Sequence, residues 1–195
     1  MNRVSTVVRQ TAETKINITL NLDGSGQSTV STGIGFLDHM LILWSKHSLF
    51  DLTAHVDGDL YIDGHHSAED TGIVLGQALA KAMGDKAGIK RYGNAFVPMD
   101  EALAQVCVDI SGRPFLHYEA DIKAQRIGDF DTELVEEFLR AFAFHGGLTL
   151  HVRVLYGRNG HHIIEAIFKA LGRALDEALR HDERIIGVMS TKGSL

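Results

Sequence analysis

The sequence predicts an α+β fold built from two copies of a ββαβα unit, two sheets with the helices packed between them. Three matches at one offset predict it. His65-His66-x-x-Glu69 recurs 96 residues later as His161-His162-x-x-Glu165. Leu75-Gly76-x-Ala78-Leu79-x-x-Ala82 recurs as Leu171-Gly172-x-Ala174-Leu175-x-x-Ala178, and Leu52-Thr53-x-His55-Val56 as Leu148-Thr149-x-His151-Val152. So many identities at one spacing mark an internal duplication. The halves are residues 1–90 and 91–195, together one compact domain.

Each element has a local signal. Ile16, Ile18, Leu20 and Leu22 alternate with polar residues, the period of a half-buried strand. Asp23-Gly24-Ser25-Gly26 makes a turn, and a second strand runs through Val30. Phe36 to Trp44 reads as a short apolar helix and Leu52 to Ile62 as a strand. From His65 to Met83, the positions Val74, Leu75, Ala78, Leu79, Ala82 and Met83 keep helical spacing. The second half gives a strand at Leu103–Ile110, a turn at Ser111–Pro114 and a strand at Phe115–Glu119. A helix at Thr132–Phe144, a strand at Leu148–Tyr156 and a helix from His161 to about Arg180 follow. The small residues Gly76, Ala78, Gly172 and Ala174 let the long helices approach closely. Glycine inside a helix costs roughly 0.5–1 kcal/mol relative to alanine, so packing must compensate.

Hydrophobic residues at 45% and charged residues at 23% fit an ordinary globular protein. The net charge is -6 and the basic residues are scattered. A nucleic-acid binder needs a basic footprint, so that class is set aside. A small anion needs only a few converging cations and stays open. Cys107 is the single cysteine, which excludes an internal disulfide and a cysteine-rich zinc site. No apolar stretch approaches the ~20 residues of a membrane span, and no secretory signal is visible. A cytoplasmic location without membrane contact is expected.

Eleven histidines, with two adjacent pairs, carry the chemistry. His65 and Glu69 stand four apart on a helix and can grip one metal ion together. His66 is rotated by about 100°, cannot easily bind the same ion, and points to a second. His161, Glu165 and His162 repeat the arrangement. Two sites follow, each with a His/Glu pair from one helix and an offset histidine from another. His39, on the short upstream helix, can add a fourth ligand. At an offset of 98, where His47 meets His145, the partner of His39 is Glu137. Mixed imidazole and carboxylate ligation suits Mn, Fe, Co or Zn, and open positions on a six-coordinate ion favour Mn or Fe. A single His-His-x-x-Glu is weak; two copies in a duplicated chain are specific. His55 and His151 repeat at matched strand positions and read as sheet residues.

These motifs resemble the imidazoleglycerol-phosphate dehydratase family. The likeness is carried by Gly35-Phe36-Leu37-Asp38-His39-Met40, Asp63-Gly64-His65-His66-Ser67-Ala68-Glu69-Asp70, Ser111-Gly112-Arg113-Pro114, His161-His162-Ile163-Ile164-Glu165-Ala166 and Ser190-Thr191-Lys192-Gly193. It spans nearly the whole chain. It implies a hydro-lyase that converts imidazole glycerol phosphate to imidazole acetol phosphate and water in histidine biosynthesis. It further implies two manganese ions per subunit and a 24-subunit homo-oligomer with active sites at subunit interfaces. The implied metal ligands are His39, His65, His66, Glu69, Glu137, His161, His162 and Glu165. Some members have histidine where this chain has Glu137, so either Glu137 or a neighbour such as His145 completes that site. The implied substrate contacts are Glu13, His39, His47, His65, Glu69, Arg91, Arg113, His161, Lys169, Ser190, Thr191 and Lys192.

The proton to be lost sits on carbon beside the imidazole ring, and hydroxide is a poor leaving group. A dinuclear site that binds the ring as imidazolate would lower that barrier by Lewis acidity. Glu165 and Glu13 are the candidates for general acid/base work. Arg91, Arg113 and Lys192 are the candidates for the phosphate. Two rivals are a two-metal hydrolase, for which no bridging Asp is evident, and a metal-storage assembly, which has no need of the arginines. Tight binding of an imidazole or triazole phosphonate would separate the dehydratase from both.

Overall fold

The computed structural model describes residues 3–195. Two four-stranded sheets enclose the helices. In the first half, β1 (Val4–Gln10) pairs antiparallel with β2 (Thr14–Asn21), and β3 (Ser28–Ser31) runs parallel to β4 (Asp51–Gly58). The strand order is β1-β2-β4-β3. The helices are α1 (Gly35–Ser48) and α2 (His65–Met83). In the second half, β5 (Tyr92–Met99), β6 (Ala102–Asp109), β7 (Phe115–Glu119) and β10 (Thr149–Tyr156) form a sheet in the order β5-β6-β10-β7. Its helices are α3 (Leu134–Gly146) and α4 (Gly160–Leu179), and a small hairpin of β8 (Arg126–Ile127) and β9 (Phe130–Asp131) precedes α3. No helix among the described residues is long and apolar enough to cross a membrane.

Each four-stranded sheet therefore carries one strand more than the ββαβα pattern, and the second half adds the β8-β9 hairpin. β1 and β5 are edge strands; β1 turns Ser5 and Arg9 inward, and β5 carries apolar Tyr92 and Phe96 on its exposed face, which blurs the alternation. Ser5 is the buried position of β1, and its hydroxyl donates to the Ala78 carbonyl at 2.6 Å. Arg9 also turns inward, to Asp70 at 2.8 Å. In β5 the inward Gly93 lets α4 approach so closely that a Cβ there would lie 1.9 Å from the Ala174 carbonyl oxygen. Polar inward residues in β1, and Gly93 inward with apolar residues outward in β5, hide these strands from a hydrophobicity pattern.

The structure also corrects the internal alignment. Asn21 lies between Val4 and Asp51, as Asp109 lies between Tyr92 and Thr149. β4 thus matches β10 at an offset of 98, and Leu52 corresponds to Leu150, not Leu148. His55 and His151 do not occupy matched positions. The match at 96 slips the strand by two residues, which preserves its faces and so looked consistent. The β8-β9 insertion lengthens the spacing after β7. A shorter loop before α4 brings it to 96 for the long helices.

The helices exchange partners between halves. α1 packs on α4, and α3 packs on α2. α2 rests on the first sheet and α4 on the second. Glycines set these contacts: a Cβ at Gly76 would lie 2.6 Å from the Phe142 oxygen, and one at Gly172 would lie 2.8 Å from the Trp44 oxygen. Trp44, Phe138, Phe142 and Phe168 fill the space around them.

Candidate active site and metal centre

The exchange of helices builds one cluster directly. The Asn159 side chain caps α4 by accepting from the His161 amide at 3.0 Å, which orients the first turn. His161 and Glu165 then share one face, and α1 brings His39 against it. His39 Nε2 lies 2.8 Å and His161 Nε2 3.1 Å from Glu165 Oε1. One ligand atom from each of the three lies within 4.8 Å of the others. Two imidazole nitrogens and a carboxylate oxygen converging this closely fit a divalent transition metal.

Lys169, one turn further along α4, donates to the other oxygen of Glu165 at 2.6 Å. Burial alone would raise the Glu165 carboxyl. The hydrogen bonds from Lys169, His39 and His161 override it and bring the carboxyl down to about 2. Glu165 is therefore ionised at neutral pH. His47 lies in the field of Lys169 and Arg173, and its imidazole is lowered first by burial and then by those cations.

The counterpart between α2 and α3 is looser. His65 Nε2 and Glu69 Oε2 are 3.9 Å apart, and both side chains are exposed. Glu137 borders the same shallow cavity as Glu69 and His145, and pairs with Arg140 at 3.8 Å. A single chain does not bring His65, Glu69 and Glu137 to a common point as it does His39, His161 and Glu165.

His66 and His162 turn away from their neighbours, as the helical rotation requires. Asp59 Oδ2 lies 3.0 Å from His66 Nδ1, and Glu101 Oε2 lies 2.7 Å from His162 Nδ1. These hydrogen bonds raise both imidazoles. On the other ring nitrogen, Glu13 stands 3.8 Å from His66 and Asp100 stands 3.8 Å from His162.

The cationic candidates gather elsewhere. Arg91, Arg113, Ser190, Thr191 and Lys192 line one cavity of about 690 Å³, with Arg184 beside them. Arg91 sits in a left-handed conformation, φ 73°, with its amide bonded to Ala178 at the end of α4. Its guanidinium donates to both oxygens of Asp109, at 2.7 and 3.1 Å, and to the Met189 carbonyl. Arg113 is 68% exposed and only 3.9 Å from Asp109, so it is free to meet a ligand. From His161 to Ala178, α4 rises by about 26 Å. The cavity and the His39 cluster therefore lie at opposite ends of one helix.

The family model described as imidazoleglycerol-phosphate dehydratase matches residues 32–175. The chain belongs to the imidazoleglycerol-phosphate dehydratase family. The family's protein from Acetivibrio thermocellus is 60% identical over 195 residues, covering all of both chains. That from Thermoanaerobacter pseudethanolicus is 62% identical over 193 residues, 99% of this chain and 100% of its own. Among solved structures, imidazoleglycerol-phosphate dehydratase from Staphylococcus aureus aligns with a TM-score of 0.84 at 45% identity, covering 92% of this chain and 99% of that one. The Pyrococcus furiosus structure aligns at 0.84 and 38%, covering 97% and 100%.

Within this dehydratase fold, sequence reasoning missed Asp59, Asp100, Glu101 and Arg184. Glu101 had a signal: it follows Glu13 by 88 residues, the true offset of the first hairpins. Without β1 and β5 that offset was invisible. Asp59 lies in the loop after β4, where no periodicity singles it out.

Proposed function

We propose that this chain dehydrates imidazole glycerol phosphate at a dinuclear divalent metal site. Family membership makes it an imidazoleglycerol-phosphate dehydratase, a hydro-lyase of histidine biosynthesis. The observation that carries the metal reading is the convergence of His39, His161 and Glu165 on one point. His39, His161, Glu165 and an offset histidine would hold one ion. His65, Glu69 and Glu137, or His145, with the other offset histidine would hold the second. Manganese suits this donor set. Bound there, such ions supply Lewis acidity to the imidazole ring.

The chain's own residues do the rest. Lys169 fixes the second oxygen of Glu165 and favours its ionised form, the form that ligates a metal; Glu165 would accept a proton only where that contact loosens. Glu13, exposed beside His66, is the second carboxylate for proton transfer. Arg91, Arg113, Ser190, Thr191 and Lys192 would bind the phosphate, with Arg91 held in place by Asp109. His47 would add a neutral imidazole on the Lys169 side. The length of α4 is too great for one small substrate to touch both ends. The reading therefore needs a metal end and a phosphate end from different copies, in a homo-oligomer such as a 24-mer. Residues 1–90 and 91–195 are read as one folding unit, because each half packs its short helix on the long helix of the other.

Elemental analysis paired with a dehydration assay tests the proposal. About two divalent ions per chain, and activity lost on chelation and restored by Mn²⁺, are expected. One ion or none in fully active protein would overturn the dinuclear reading.

A further inference from the structure

The two histidines that point away from their own clusters each carry a carboxylate behind the ring. His66 Nδ1 meets both oxygens of Asp59, at 3.0 and 3.2 Å, and His162 Nδ1 meets Glu101 at 2.7 Å. The two carboxylates come from different places. Asp59 follows β4, whereas Glu101 lies in the β5-β6 turn, the position equivalent to Glu13. Two halves that diverged in their loops reach one arrangement by separate routes. A surface ion pair has no reason to recur in this way.

Chemistry gives the arrangement a purpose. An imidazole that donates its Nδ1 proton to a carboxylate presents the lone pair of Nε2 to the outside. The carboxylate also fixes the ring plane and raises its basicity. Asp59 is itself held: its side chain is 10% exposed, and its amide donates to the Glu13 carbonyl at 3.1 Å. Glu101 is held more firmly, since its other oxygen accepts from the amides of Arg158 and Asn159 at 3.1 and 2.7 Å. Neither carboxylate is a free group that happens to lie near a histidine. His161 is oriented differently, by turning Nε2 onto Glu165.

We infer that Asp59 and Glu101 are positioning residues that lock His66 and His162 with Nε2 directed outward, each toward a metal ion shared with another copy of the chain. The inference rests on the dinuclear metal reading. It adds two residues outside the implied ligand and substrate sets. It also predicts that each governs a different ion.

The test is a Mn²⁺ titration of chelated protein, which reassembles as the metal is added, with free Mn²⁺ followed by electron paramagnetic resonance. Wild type should take up two ions per chain. Asp59→Ala should weaken one of them by about 10–100-fold and leave the other unchanged, the usual effect of removing such a partner. Asp59→Asn, which keeps an acceptor oxygen for Nδ1, should recover part of the loss. Glu101→Gln should weaken the other ion, and the double variant both. Circular dichroism and the urea midpoint of the metal-free forms check that the variants fold. Asp59 is the decisive arm, because its side chain lacks the loop contacts of Glu101. A folded Asp59→Ala protein that binds both ions like wild type, or loses both equally, overturns the inference while two ions in wild type leave the metal reading standing. A wild type that takes up no Mn²⁺ overturns both.

Discussion

At Glu165 the two carboxylate oxygens have separate duties. One faces His39 and His161, and the other is held by Lys169. The folded carboxyl lies near 2, below its ordinary 4.5. Ionised Glu165 thus stabilises the metal-free fold above about pH 4.5, and the contribution disappears as pH falls toward 2. Metal-free protein should lose stability across that window, and Glu165→Gln should flatten the loss; urea midpoints between pH 5 and roughly 2 decide it. The arginines divide similarly. Arg113 is exposed, so Arg113→Ala should raise KM by one to two decades, the worth of a charge-assisted contact of about 1.5–3 kcal/mol. Metal content and the unfolding midpoint should not change. Arg91 is tied to Asp109 and to Met189, so Arg91→Ala should also lower the midpoint. Steady-state kinetics with matched melts would show whether the two effects separate. Equal loss of stability in both variants would contradict this division.

Among the elements, the long helices depend on a few absent side chains. Gly76 and Gly172 meet backbone oxygens of the partner helix at distances no Cβ tolerates. Gly76→Ala and Gly172→Ala should each destabilise by about 1–3 kcal/mol, the range for overpacking a well-filled core. Gly35 starts α1 with nothing within 4 Å of its would-be Cβ, so Gly35→Ala should be neutral or mildly stabilising. Denaturant titration of the three variants would tell. The long helices and the inner strands were legible because they repeat apolar residues at a clear period. β1 and β5 were not, since Ser5 and Arg9 turn inward for hydrogen bonding, Gly93 for close approach, and Tyr92 and Phe96 put apolar side chains on the outer face.

For the whole molecule, the decisive fact is the separation of the His39–His161–Glu165 cluster from the arginine-lined cavity along α4. If the metal end and the phosphate end of one active site come from different copies, defects at the two ends should complement. Mixing Glu165→Gln subunits with Arg113→Ala subunits, by joint refolding, should yield a kcat/KM above that of either parent assembly. No gain after proven mixing would place a complete site within one chain. If copies share ligands as proposed, metal is also coupled to assembly. Sizing before and after chelation should show the large particle dissociating, and readdition of Mn²⁺ should restore it.

The sequence alone determined the duplication, the α+β class and the family, because the identities of the two long helices at a spacing of 96, and contiguous motifs, need no structure to be seen. It also determined that His65 and Glu69, or His161 and Glu165, share a face, since helical periodicity is a local property. Tertiary structure decided what depends on packing between distant segments. It set β4 against β10 at 98 rather than 96, because hydrogen-bond register with β2 and β6 overrules four identities displaced by two residues. It placed His39 of one half on the helix of the other. It put Asp59 and Glu101 behind the outward histidines. It also drew Arg91, Arg113 and the Ser190–Lys192 tail into one cavity at the far end of α4. Chain spacing carries no distance for such pairs; the packing of helices between two sheets supplies it.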